Sequence, residues 1–140
     1  MFSKKIVVLA LLSVAAALPS LAIAAPASPP TSQCVLSGHR VTGVQPLRVA
    51  TRYGRGVSER LLGATVFIQA EPGLTAEWLQ LTIQRHMTQM GAAGMANCVL
   101  DAKDVRVNVA SAGAGFAVQI TGKDSAQAKE ILRRAQLLAS

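Results

Sequence analysis

The side chains with the most capacity for chemistry crowd into one short stretch: His86, Met87, Met90, Met95 and Cys98. Thioether and imidazole donors together suit monovalent copper. On a helix, His86 and Met90 stand four residues apart and share a face, as do Met87 and Met90 at three. His86, Met87 and Met90 therefore form a candidate copper site. The competing role is structural, because methionine also fills irregular gaps in apolar cores, and Met87 and Met90 both fall on the apolar stripe of that helix.

Cys34 and Cys98 are the only cysteines. Without a CxxC spacing they point to a disulfide rather than to a pair of metal-ligating thiolates. A bridge closing a loop of about 65 residues contributes about 4 kcal/mol in the chain-entropy account. Cys98 in a disulfide is withdrawn from thiolate chemistry, so on this reading no cofactor is expected and copper is the alternative.

The second candidate is electrostatic. Arg48, Arg52, Arg55 and Arg60, preceded by Arg40, are interrupted by Glu59 alone among acidic residues. Arg48 and Arg52 share one face of a strand, and Arg55 and Arg60 flank the Gly54-Arg55-Gly56 break, so the set forms a basic contact surface. It suits an anionic envelope surface or an acidic envelope protein; the competing role is a solvated face that keeps the domain soluble. Nucleic acid is not expected, since Tyr53 is the one aromatic there for base stacking.

Enzymatic chemistry finds little support. The two histidines, His39 and His86, have no acid placed near them by pattern, and the seven acidic residues are scattered. Gly113-Ala114-Gly115 is followed by a strand rather than a helix, so it is a hairpin turn and not a phosphate cradle.

The elements that position these residues follow from periodicity. Leu47, Val49, Thr51 and Tyr53 alternate with Arg48, Ala50 and Arg52, the pattern of a half-buried strand. A second strand is expected over 64–70. Thr75 is placed to cap a helix running to about Met90, with Leu79, Ile83, Met87 and Met90 in its stripe and Trp78 beside them. Val105, Val107 and Val109, then Phe116, Val118 and Ile120, make a hairpin. Asp124 followed by Gln127 resembles a capping box for a last helix carrying Ala128, Ile131, Leu132, Ala135 and Leu138. The order ββαββα predicts an α+β fold, a four-stranded antiparallel sheet with two amphipathic helices packed on one face. An offset of 50 residues aligns Gly63-Ala64 with Gly113-Ala114 and Thr75-Ala76 with Ser125-Ala126, which raises an internal duplication.

The amino terminus sets the compartment. Lys4 and Lys5 precede an apolar run from Ile6 to Leu18, broken by Ser13, then Pro19, Ser20 and small residues. This is the pattern of a signal peptide, 1–24, and at roughly 13 residues the run falls short of the about 20 needed to span a bilayer. Cleavage before Ala25 leaves a Pro/Ser-rich linker, 25–36, and a small domain, 37–140. The segment Thr31-Ser32-Gln33 does not favour a lipid anchor on Cys34. Loss of Lys4 and Lys5 lowers the basic count from 14 to 12 against 7 acidic residues, a mature net charge of about +5. The expected function is therefore a non-enzymatic binding domain of the bacterial cell envelope, periplasmic or secreted, with no transmembrane segment after cleavage.

Overall fold

The computed structural model describes residues 33–90 and 94–140, so the expected signal peptide, 1–24, and most of the expected linker, 25–36, lie outside the described residues. The chain forms β1 (Val41–Tyr53), β2 (Gly56–Gln69), α1 (Ala76–Met90), β3 (Arg106–Ala112), β4 (Gly115–Thr121) and α2 (Ser125–Leu137), preceded by a 3-10 turn at Val35–Gly38. This is the α+β fold and the ββαββα order that the periodicity predicts. The sheet is antiparallel with strand order β1-β2-β4-β3, so the second strand of each hairpin lies at the centre.

One face of the sheet is buried. Ala64, Val66 and Ile68 of β2 pair across to Ile120, Val118 and Phe116 of β4, and all six side chains are removed from solvent. Alternation sends these residues to the same side, where α2 packs on β2 and α1 on β3. Leu79, Ile83 and Met90 meet the core from α1, and Ala128, Ile131 and Ala135 from α2. Trp78 departs from expectation: it lies beside the buried stripe yet stays 52% exposed.

Both helix starts are capped. The Thr75 hydroxyl accepts from Trp78 N–H at 3.2 Å, and the Asp124 carboxylate accepts from Gln127 N–H at 2.8 Å. The return bond of the capping box is displaced by one residue, because the Gln127 side-chain oxygen accepts from Lys123 N–H instead. Gln80 on α1 reaches the sheet rather than its own helix. Its amide donates to Val107 O and accepts from Val109 N–H, so it occupies the free edge of β3.

The packed region reaches back past residue 37. Leu36 is fully buried within the 3-10 turn, and Cys34 packs against the same cluster. Beside Cys34, Cys98 is buried together with Val99 and Leu100, although these three belong to the connection between α1 and β3. This connection is a core element in loop form.

The first hairpin differs most from the expected half-buried strand. β1 and β2 are 13 and 14 residues long, whereas β3 and β4 have 7 each. β4 pairs with β2 only from Gly63 to Gln69. Arg48–Tyr53 and Gly56–Leu61 therefore continue as a two-stranded arm, and every residue from Arg48 to Arg60 is exposed. At about 3.4 Å per residue the arm is about 20 Å long.

A register shift between Leu47 and Arg48 marks the arm's base. Such a bulge increases local twist and swings the ribbon away from the sheet. Gly63 lies beside it, where a Cβ would collide with the Ile120 carbonyl. The two hairpin turns are alike, with Gly54 and Gly113 at φ 59° and 57°. The 50-residue offset does not correspond to the fold, since it aligns Gly63 within a strand with Gly113 in a turn. It likewise aligns the cap Thr75 with Ser125, the first residue of α2.

Gly63→Ala should cost more than about 2 kcal/mol, because backbone on both strands must move. Gly54→Ala, with a left-handed φ but open space around it, should cost only about 1 kcal/mol. Urea denaturation of the two variants measures the difference, and equal losses would contradict the close strand approach at Gly63.

Candidate functional site

The arm collects the whole basic contact surface. Arg48 and Arg52 share one face with Ala50, Val57, Glu59 and Leu61, as the cross-strand partners Arg48↔Leu61, Ala50↔Glu59 and Arg52↔Val57 require. Arg60 does not flank the turn as expected. It sits opposite Val49 near the base, on the other face with Thr51, Tyr53 and Ser58. Arg55 occupies the tip.

Only one acidic residue answers these four. Arg48 Nη1 and Glu59 Oε2 are 4.0 Å apart, both more than half exposed, a pair that water screens to little net effect. Apolar surface accompanies the charge: Tyr53 is 69% exposed and Val57 62%. A shallow cleft at the base is lined by Arg60, Leu61, Leu62 and Gly122 to Ser125, which brings both Lys123 and the helix-capping Asp124 beside Arg60.

A second constellation lies in the helix layer. Cys34 and Cys98 are joined in a disulfide with Cα atoms 5.1 Å apart, as the cysteine count predicts. His86 on α1 turns its Nε2 toward this bridge, 3.9 Å from Cys98 Sγ. The Sγ atoms of Cys34 and Cys98 and a ring nitrogen of His86 all lie within 4.8 Å of one another. Burial lowers the His86 pKa, because desolvation penalises the imidazolium.

Of the sulfur donors considered beside His86, Met90 is a core residue, and Met87 and Met95 are half-buried and packed against the core. The periodicity of α1 shows His86 only at the edge of its stripe. Its nearness to Cys34 joins residues on separate segments and has no local sequence signal.

The Cys98 loop is held by more than the disulfide. Met95 N–H donates to the Asp101 carboxylate at 2.7 Å. From α2, Arg134 donates to Cys98 O at 3.0 Å and to Asp101 O at 3.1 Å, while its Nε bonds Glu130 at 2.7 Å. Arg133 and Arg134 both hydrogen-bond the Glu130 carboxylate and hold its carboxyl down to about 2. A further pairing links His39 Nδ1 to the Glu71 carboxylate at 3.4 Å, across 32 residues of sequence.

The pH dependence has a defined sign. A group whose folded pKa is depressed stabilises the fold above its unfolded pKa and loses that contribution as pH falls. For His86 the loss begins below 6.5; for Glu130 it falls between 4.5 and about 2. Thermal unfolding between pH 7.5 and 5 should show a decline that His86→Gln removes, and a rise in stability over that range would contradict the burial of a neutral ring. The chain matches no protein-family model, and comparison with curated proteins and with solved structures likewise gives no match.

Proposed function

We propose that this chain is an exported, non-enzymatic binding domain of the cell envelope, whose contact element is the β1–β2 arm and whose partner is an anionic lipid surface. The observation that carries the reading is the arm itself. A two-stranded ribbon with no third strand is marginal in water, yet here every residue from Arg48 to Arg60 is exposed and four arginines face a single Glu59.

Guanidinium groups form paired hydrogen bonds with phosphate oxygens, and Arg48, Arg52, Arg55 and Arg60 offer them on both faces and at the tip. Tyr53 and Val57 suit the boundary between headgroups and acyl chains, where an aromatic ring with a polar end is favoured. A disulfide is compatible with export, and no helix among the described residues is long and apolar enough to cross a membrane.

The strength of the interaction follows from the charge. At about 1 kcal/mol per basic residue near an anionic bilayer, a net excess of three charges gives about 3 kcal/mol, or roughly a hundredfold preference over a neutral surface. Salt within a Debye length reduces it.

Sedimentation with vesicles tests this. The oxidised mature protein should associate with vesicles containing phosphatidylglycerol and not with purely zwitterionic ones, and association should fall with salt. Arg48→Ser with Arg52→Ser should weaken it about 30-fold at low salt, with circular dichroism unchanged. Equal retention on both vesicle types, or unaltered binding by the double variant, would reject the lipid surface.

A further inference from the structure

We propose a second site, independent of the arm: when a dithiol reductant opens the Cys34–Cys98 bridge, Cys34, Cys98 and His86 form a three-coordinate site for monovalent copper. Three segments far apart in sequence converge there: the residue before the 3-10 turn, the third turn of α1 and the α1–β3 connection.

The donor geometry favours one ion. Two ligands about 2.0–2.3 Å from a shared metal at trigonal angles stand roughly 3.7 Å apart. The distance from His86 Nε2 to Cys98 Sγ is 3.9 Å. With Cα atoms 5.1 Å apart, the two released sulfurs reach a common ion by side-chain rotation. Two thiolates and an imidazole are a soft donor set. Three such donors complete the coordination of monovalent copper, whereas zinc held by them would need a water as its fourth ligand, since the described residues offer no fourth His, Cys, Asp or Glu to this group.

The ligands remain in position without the covalent bond. Leu36 anchors the Cys34 side through its burial. The Cys98 side is held by Arg134 on Cys98 O and Asp101 O, and by Asp101 on Met95 N–H. The chemistry balances simply. The disulfide accepts two electrons and two protons from the dithiol, which becomes a disulfide itself, and the two thiols release two protons as copper binds. The site differs from the His86, Met87 and Met90 set, because its sulfur comes from the cysteines and Met90 stays in the core.

The test uses the mature protein, oxidised or reduced by a phosphine without oxygen, titrated with monovalent copper against a chromophoric chelator. The reduced form should take one equivalent and the oxidised form none. X-ray absorption should show two sulfur neighbours and one nitrogen. Loss of a neighbour that merely orients a metal ligand weakens binding about 10- to 100-fold, so His86→Gln should weaken it at least about tenfold. Met87→Leu with Met90→Leu should leave it unchanged. Circular dichroism covers the effect of reduction: a chain that unfolds when reduced and refolds with copper supports the site, and one that does not refold overturns it. So does weak binding by the folded reduced protein, undiminished affinity in His86→Gln, or dependence on the methionines.

Discussion

The pairing of β2 with β4 ends at Gly63 and Thr121, and much of the molecule's exposed character follows from that limit. β4 turns away at Gly122, whose N–H donates to Leu62 O at 2.9 Å, and leads directly into α2. β2 has seven more residues on the other side of the junction, with only β1 to pair with. Those strands lose the apolar face that stabilises a sheet, because no helix extends over them. Their side chains are accordingly exposed on both faces, and charge becomes the dominant property of the ribbon.

The helix layer has a different organisation. Cys98, Val99 and Leu100 fill the core in place of a regular element, and irregular backbone in such a position requires partners for its polar groups. Arg134 supplies two of them through one nitrogen, at Cys98 O and Asp101 O, and Glu130 fixes the guanidinium from the other side. The Asp101 carboxylate meets Met95 N–H. The disulfide thus closes a corner already ordered by hydrogen bonds, and His86 is brought to it by the stripe of α1.

The fold is legible in the sequence because its elements obey local rules. Period-two alternation marks Val105 to Ile120, the step of three and four residues marks both helices, and Thr75 and Asp124 mark their starts. The disulfide is legible from composition, since two cysteines leave a single pairing. The length of the first hairpin is not, because Arg48, Ala50 and Arg52 alternate with Val49, Thr51 and Tyr53 whether or not a core covers the apolar side. Burial depends on where β4 ends, and that is a property of a different part of the chain. The arginines of the basic surface are recognisable as a group, but the placement of Arg60 on the opposite face follows from the two-residue turn, which pairs Tyr53 with Gly56 and so sets Arg60 against Val49 rather than Arg48. The approach of His86 to Cys34 is likewise tertiary. Leu36 falls within the linker by composition because Pro and Ser dominate the residues before it, although a lone leucine beside a disulfide cysteine has an evident reason to be buried.

Both regions take their position from α2. Its first turn is tied to the connections beneath the arm: Gln127 accepts from Lys123 N–H and donates to Lys103 O, and Gly122, one residue before Lys123, donates to Leu62 O on β2. Two turns later, Glu130 and Arg134 hold the Cys98 loop. The buried residues Ala128, Ile131 and Ala135 alternate with these polar anchors around the helix, so the face that fills the core also sets the angle at which the polar groups leave it. A short amphipathic helix can therefore order a projecting ribbon at one end and a buried loop at the other without a large interface to either, because its packing against β2 is common to both.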